Sequence, residues 1–327
     1  MTQASEGNLP KLEGCLPNLP VPLFATVMGT AGLALAWRSG EAVWDGGTGF
    51  STTLTWLVTL LFVVLAVAYG LKAAFHRQKV AEEFRHPMKI NFFPAISISV
   101  ILLAMLWQPL APGLAAVLWV IGAVAHLILT LVVMARWTGP HAVPIEQINP
   151  AWFIPVVGNI LLPIAGVPMG LVELSWFFFS IGLVFWVVLM TLVFYRFIFH
   201  DPLPERMMPT LAILLAPPAV GFLSWVALTG EVDAFARILY YAGAFLFLLL
   251  LVRLRTFLRL PFFLSWWAYS FPVAAFTVAT MQLGMQGNLP LMEVLGLVLL
   301  TLTTILILIL ARVTLRELRA GRICVPE

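Results

Sequence analysis

The chain has 327 residues, of which 61% are hydrophobic and 10% charged, with a net charge of +3 and a mean hydropathy of +1.01. A soluble domain carries about 45–50% apolar residues, so this composition excludes a water-soluble core of such length and predicts an all-α integral membrane protein. The small positive charge is explained by membrane topology and gives no ground for a nucleic-acid partner.

Ten apolar stretches follow one another: Pro20–Trp37, Ser51–Ala73, Phe92–Gln108, Gly113–Trp137, Ala151–Gly170, Leu174–Phe199, Pro209–Leu228, Phe235–Phe257, Pro261–Met281 and Leu291–Arg312. Most reach the ~20 residues needed to cross a hydrocarbon core of ~30 Å; the third is short and is expected to extend into its flanks. Proline lies inside every odd stretch: Pro22 in the first, Pro94 in the third, Pro155, Pro163 and Pro168 in the fifth, Pro217 and Pro218 in the seventh, Pro272 in the ninth. In the even stretches it occurs only at the start, as Pro112 and Pro290, where a missing N–H costs nothing. A proline deep in lipid frees a carbonyl that neighbouring helices, side chains or water must satisfy. The alternation therefore predicts two populations, kinked odd helices inside the protein and smooth even helices facing lipid.

Basic residues fix an orientation. All eighteen except Arg38 and Arg237 fall in the tails or in the second, fourth, sixth and eighth connections. The positive-inside rule then puts both termini in the cytoplasm, which requires an even number of spans. The expected division is a cytoplasmic tail over 1–19, one ten-helix domain over 20–315 and a second cytoplasmic tail over 316–327. The first 19 residues, with Glu6, Lys11 and Glu13, lack the basic and apolar order of a signal peptide. Cys15 and Cys324 both fall in these tails, where a structural disulfide is not expected, and two thiols are too few for a metal site.

No P-loop, GxGxxG, HExxH or CxxC motif is present, so no enzyme chemistry, cofactor or metal is expected. His76, His86, His141 and His200 lie in connections. His126 sits near the middle of the fourth stretch; it is either a functional ionisable group or a neutral imidazole bonded to a neighbouring helix. Carboxylates occur only in tails, connections or near segment ends, as with Glu173, Glu231, Asp233 and Glu293. A proton- or sodium-coupled carrier usually needs one deeper in the membrane, so the pattern favours a passive pathway.

Six motifs in order resemble the tellurite-resistance/dicarboxylate transporter family, which includes bacterial TehA and the plant slow-type anion channels. They are Pro20-Val-Pro-Leu-Phe24 with Met28, Gly29 and Gly32 through Trp37; His86-Pro87-Met-Lys89-Ile-Asn91-Phe92; Asn149-Pro150-Ala-Trp152-Phe-Ile-Pro155-Val-Val-Gly158-Asn159; Pro209-Thr210 through Ala216-Pro217-Pro218-Ala219; Gly230-Glu231-Val-Asp233; and Trp266-Trp267-Ala-Tyr269-Ser-Phe271-Pro272. The resemblance covers about residues 17 to 315. It implies ten helices as five hairpins, the odd helices forming an inner pore ring and the even ones an outer ring, with one pore in each protomer of a homotrimer in the bacterial inner membrane.

The resemblance also implies that Phe271 plugs the pore at mid-membrane. An aromatic ring in a narrow apolar pore blocks ions by sterics and dewetting and opens by a rotamer change. Alternatively, Phe271 is ordinary packing. Expected pore-lining residues are Phe24, Met28, Pro94, Ile98, Pro155, Asn159, Leu214, Pro218 and Ala275, with Thr26, Ser97 and Thr210 as possible hydrating hydroxyls. Relatives often carry glycine after the first aromatic, where this chain has Ala25. The basic connections either concentrate anions at one mouth or serve only topology and lipid headgroups. The expected function is a gated passive channel for small anions such as chloride or nitrate. The alternatives are a proton-coupled transporter of dicarboxylates, sulfite or tellurite, and a structural or receptor-like membrane protein.

Overall fold

The computed structural model describes residues 12–44, 46–140 and 143–325, and among them there is no β-strand. Besides single turns at Leu12–Cys15 and Leu254–Phe257, the α-helices are α1 Phe24–Val43, α2 Gly49–Phe75, α3 Arg77–Arg85, α4 Pro94–Trp107, α5 Pro112–Trp137, α6 Phe153–Val157, α7 Leu162–Gly166, α8 Val172–Phe199, α9 Ala216–Thr229, α10 Ala234–Val252, α11 Ser270–Gly287 and α12 Pro290–Arg319. This is an all-α membrane protein. Eight helical runs are long and apolar enough to cross a membrane. Two expected spans fall outside that set for different reasons. The fifth is chopped into the short pieces between Pro150 and Gly166. The ninth, α11, is rich in Ala, Thr, Gln and Gly, and it is buried along most of its length, so it has little need of lipid-soluble side chains.

Burial separates the helices into two groups. In the most apolar windows of the runs Val21–Val43, Lys89–Trp107 and Glu205–Thr229, 61%, 83% and 72% of residues are buried; in α2, α5, α8, α10 and α12 the shares are 17%, 33%, 28%, 28% and 28%. The second group turns rows of Leu, Val, Ile and Phe outward, as at Val63, Val67, Ile128, Leu131, Phe245 and Leu308. Packing follows a closed circuit. α1 touches α4, α4 touches α6 and α7, α7 touches α9, α9 touches α11, and α11 returns to α1. Each of α2, α5, α8, α10 and α12 packs outside the buried element that precedes it.

The prolines act at the start of helical segments. Each buried run opens with a 3-10 segment: Val21–Leu23 before α1, Lys89–Phe92 before α4, Pro150–Trp152 before α6 and Gly158–Leu161 before α7, Glu205–Leu215 before α9, Leu264–Tyr269 before α11. Pro94, Pro155, Pro163, Pro217, Pro218 and Pro272 then fall in the first turn of the following α-helix, and Pro22 within the 3-10 turn Val21–Leu23. A first-turn residue has no intrahelical acceptor for its N–H, so proline is tolerated there.

Near each junction one short polar side chain donates to a backbone carbonyl three residues earlier, and two of these carbonyls, those of Trp267 and Val156, also accept a backbone N–H. Thr26 donates to the Leu23 carbonyl at 2.7 Å, Ser97 to Pro94 at 2.9 Å, Asn159 to Val156 at 2.8 Å, Thr210 to Met207 at 2.6 Å and Ser270 to Trp267 at 2.6 Å. All five are buried and all reach back three residues. The fragmented fifth run needs outside help as well. Thr130 of α5 donates to the Pro155 carbonyl at 2.6 Å, Trp119 to Leu162 at 3.0 Å, and Ser224 of α9 to Ile160.

Tight turns close the opposite end. Glu41 accepts the Phe50 and Ser51 amides at 3.0 and 3.2 Å, fastening the start of α2. In the Gly230-Glu231-Val-Asp233 motif, Gly230 adopts φ 81 to end α9, and Asp233 caps α10 by accepting the Ala236 amide at 2.8 Å. At the other end of the bundle the structure joins Cys15 to Cys324. This corrects the expectation that no disulfide would form: the segment before α1 and the segment after α12 lie side by side, so thiols at the two ends of the chain become neighbours.

Two outcomes are expected from this packing. Thr130→Val strips the Pro155 carbonyl and the Asn159 amide of a partner, so it should destabilise the protein by about 1–3 kcal/mol, read as a lower melting temperature in detergent. Gly29→Val should destabilise at least as strongly, because a Cβ on Gly29 would collide with the Ser270 hydroxyl. An unchanged melting curve for either variant would contradict its assignment.

Candidate functional site

Phe271 is the second residue of α11. The 3-10 segment before it, the Ser270 hydroxyl turned back onto Trp267 and Pro272 just after it fix the backbone at this point. Across from it, α1 presents glycine. A Cβ on Gly32 would stand 2.9 Å from the Ala274 Cβ and 3.4 Å from the Phe271 ring. Glycine at 29 and 32 therefore lets the two backbones approach more closely than any side chain would allow.

Two cavities meet at this ring. The larger, about 740 Å³, begins at the end of the molecule where Pro17, Arg322 and Val325 lie. Met28, Ile98, Val157, Ala216 and Pro217 line it toward Phe271, and Lys72, Lys79, His86, Lys89, Arg206 and Arg322 lie toward its mouth. The smaller, about 200 Å³, lies on the other side and is lined by residues including Leu35, Arg38, Ser39, Leu102, Ala275 and Gln282. Leu161, Val220 and Phe271 line both. Three buried runs thus each contribute one apolar side chain to the partition, and Phe271 is 9% exposed.

Of the residues expected at a pore wall, Met28, Ile98 and Phe271 line the larger cavity and Ala275 the smaller, with Phe271 on both. Phe24, Pro94, Pro155, Asn159, Leu214 and Pro218 line neither. Their neighbours Ala25, Ala95, Ile154, Gly158, Ile213 and Pro217 do, a change of one residue that rotates a helical position by about 100°. Phe24 instead meets Phe62 and Tyr69 of α2 edge-on. Asn159 donates to Thr130 at 3.0 Å as well as to Val156. Thr26, Ser97 and Thr210 line neither cavity and spend their hydroxyl hydrogens on backbone carbonyls, so they do not offer them to an ion.

His126 is fully buried, with Nδ1 2.9 Å from the Ser97 hydroxyl oxygen. Because Ser97 already donates to Pro94, the imidazole Nδ1–H donates to Ser97. The ring lies against Gly158, where a Cβ would come within 2.6 Å of it. This is the imidazole bonded to a neighbouring helix, behind the cavity wall.

At the mouth, the basic residues are less dominant than their number implies. Lys72 is buried, paired with Glu83 at 2.7 Å and donating to the Leu19 carbonyl at 2.8 Å, and Tyr69 also donates to Glu83. Lys79 pairs with Glu82 at 3.1 Å and Arg322 with Glu317. The Lys72–Glu83 pair ties α3 to α2 and the Arg322–Glu317 pair holds the segment after α12 to that helix, whereas Lys79–Glu82 lies within α3. Sequence reasoning missed Arg38. The apolar stretch stopped at Trp37, but α1 continues to Val43, which brings Arg38 to the smaller cavity. The usable signal was helical spacing: Gly32, Leu35 and Ser39 continue the face that starts at Ala25 and Met28.

Comparison with known proteins identifies a family. Residues 18–315 match the family described as voltage-dependent anion channel. The S-type anion channel SLAH2 of Arabidopsis thaliana is 28% identical over 274 residues, covering 82% of this chain and 53% of that protein. A tellurite resistance protein TehA homolog of Haemophilus influenzae is 27% identical, covering 79% of each chain. An uncharacterized transporter of Methanocaldococcus jannaschii is 27% identical, covering 86% of each. The chain spans about half the length of the plant relatives SLAH2 and SLAH3. With a family match that runs from before the first buried helix to within the last outer one, and with six motifs in their expected order, this chain belongs to the voltage-dependent anion channel family.

Proposed function

We propose that this chain is a gated, passive channel for small monovalent anions such as chloride and nitrate, closed at rest by Phe271. The observation that carries the reading is the pair of cavities of about 740 and 200 Å³ that share Phe271, Leu161 and Val220 as their partition. Removing one ring would join them. The family consists of anion channels and transporters rather than enzymes, and relatives named as S-type anion channels support the choice of ion class.

The reading takes residues 20–315 as ten spans in five hairpins, with the α1, α4, α6–α7, α9 and α11 runs around the pathway and the smooth helices outside. It places the basic mouth and both tails, 1–19 and 316–327, in the cytoplasm of a bacterial cell, with the protein in the inner membrane as a homotrimer of separate pores. Passive flow is favoured by the carboxylates of the larger cavity, Glu82, Glu83 and Glu317, each held in an ion pair. Glu41 caps α2. A carboxylate so engaged is a poor proton carrier.

Phe271→Ala should raise anion conductance of the reconstituted protein about tenfold or more, with current reversing at the Nernst potential of the anion. Unchanged current with confirmed incorporation would sink the gate. Flux that saturates with substrate and follows a pH gradient would instead establish the coupled transporter of dicarboxylates, sulfite or tellurite. Arg206→Gln should lower conductance roughly twofold at low ionic strength, and the difference should fade in ~1 M salt, where the Debye length is about 3 Å. An effect that persists there would point to a direct contact.

A further inference from the structure

We propose that Arg38, with Ser39 and Gln282, forms a binding site for a small inorganic monovalent anion in the smaller cavity, on the far side of Phe271 from the basic mouth. The site deepens the channel reading and rests on it for its role in conduction, but its existence can be tested without current.

Arg38 is held rather than loose. Nη1 donates to the Met105 carbonyl at 3.0 Å and Nη2 to the Leu106 carbonyl at 2.7 Å. Both carbonyls belong to the last turn of α4, where four carbonyls lack an intrahelical donor and the helix dipole favours a cation. A guanidinium has five N–H groups in a planar fork. Two hydrogens are used here, and among the described residues no other hydrogen bond engages the remaining three. The group is therefore fixed in place with donors to spare, which is the state that binds an anion with little loss of side-chain freedom.

Its surroundings raise the strength of that charge. Arg38 is the one charged residue lining the smaller cavity among those described, and Leu35, Leu102, Met105, Ile164, Leu223 and Val278 form an apolar wall around it. Glu41, one turn further along α1, acts on Arg38 through its charge but makes no ion pair with it, its carboxylate accepting the Phe50 and Ser51 amides. A fixed cation beside apolar walls acts through a lower effective dielectric than water does. It repels cations and supplies hydrogen bonds as an anion sheds water. The volume of about 200 Å³ accommodates an anion with several waters at ~30 Å³ each. The hydroxyl of Ser39 and the amide of Gln282 complete a polar patch next to the partition.

Two measurements test the site. In the Phe271→Ala background, Arg38→Gln should raise the half-saturating chloride concentration for conductance roughly tenfold or more, the loss expected for a charge-assisted hydrogen bond, and should increase cation leak. Arg38→Lys, which keeps the charge and can still bond the α4 carbonyls, should fall between the two. Equal saturation and equal ion selectivity in Arg38→Gln and its parent would overturn the site while leaving the gate intact. If Phe271→Ala carries no current, the channel reading fails first, and anomalous scattering from bromide-soaked crystals decides the site alone. A bromide beside the wild-type Arg38 guanidinium that is absent from well-folded Arg38→Gln crystals supports it; no bromide there in wild type, or one that persists in Arg38→Gln, overturns it.

Discussion

Hydrocarbon offers no hydrogen bonds, so every carbonyl that a proline or a 3-10 turn releases within a membrane must find a donor inside the protein. In this chain a group of internal polar residues lies near the 3-10 junctions of the buried runs and bonds to the backbone there. Thr26, Ser97, Asn159, Thr210 and Ser270 each reach back three residues to a backbone carbonyl. Thr130, Trp119 and Ser224 reach across from neighbouring helices. Even His126, the deepest ionisable group, serves the scheme by bonding to Ser97. The cavity walls are left mainly apolar because the polar groups are already engaged behind them.

The same requirement explains how an aromatic ring comes to sit across the bundle. A 3-10 to α junction changes the number of residues per turn, so the side chain just past it can project in a direction that a continuous helix would not give. Phe271 follows such a junction, and Leu161 and Val220 lie at or soon after others. Glycines 29 and 32 then bring α1 and α11 close enough for the ring to span the remaining gap. Partition and backbone geometry are one construction.

Much of this was legible in the amino-acid order. The two helix populations could be read from proline placement, and the shared side of the two termini from Lys and Arg, because lipid and membrane potential act on composition alone. Phe271 was marked by its neighbour Pro272 and by family resemblance. The face of each buried run was less legible. Choosing Phe24 over Ala25, or Pro94 over Ala95, needs a helical phase, and a 3-10 segment of variable length resets that phase in every run. α11 lacks the hydropathy of a span because it avoids lipid. Arg38 was hidden by a boundary drawn one residue too early, and Cys15–Cys324 by a contact between chain ends that local patterns do not encode.

The closing of the circuit by α1 and α11 has a consequence for how the protein is made. The groove at Gly29 and Gly32 leaves the ribosome about 240 residues ahead of its occupant, Ser270–Phe271. At ~5–20 residues per second, that face waits on the order of ten seconds or more for its partner. During that time lipid or another helix must cover it. Assembly of this wall is therefore a step after insertion of α1, and the partition between the cavities comes into being only when a late part of the chain docks against an early one.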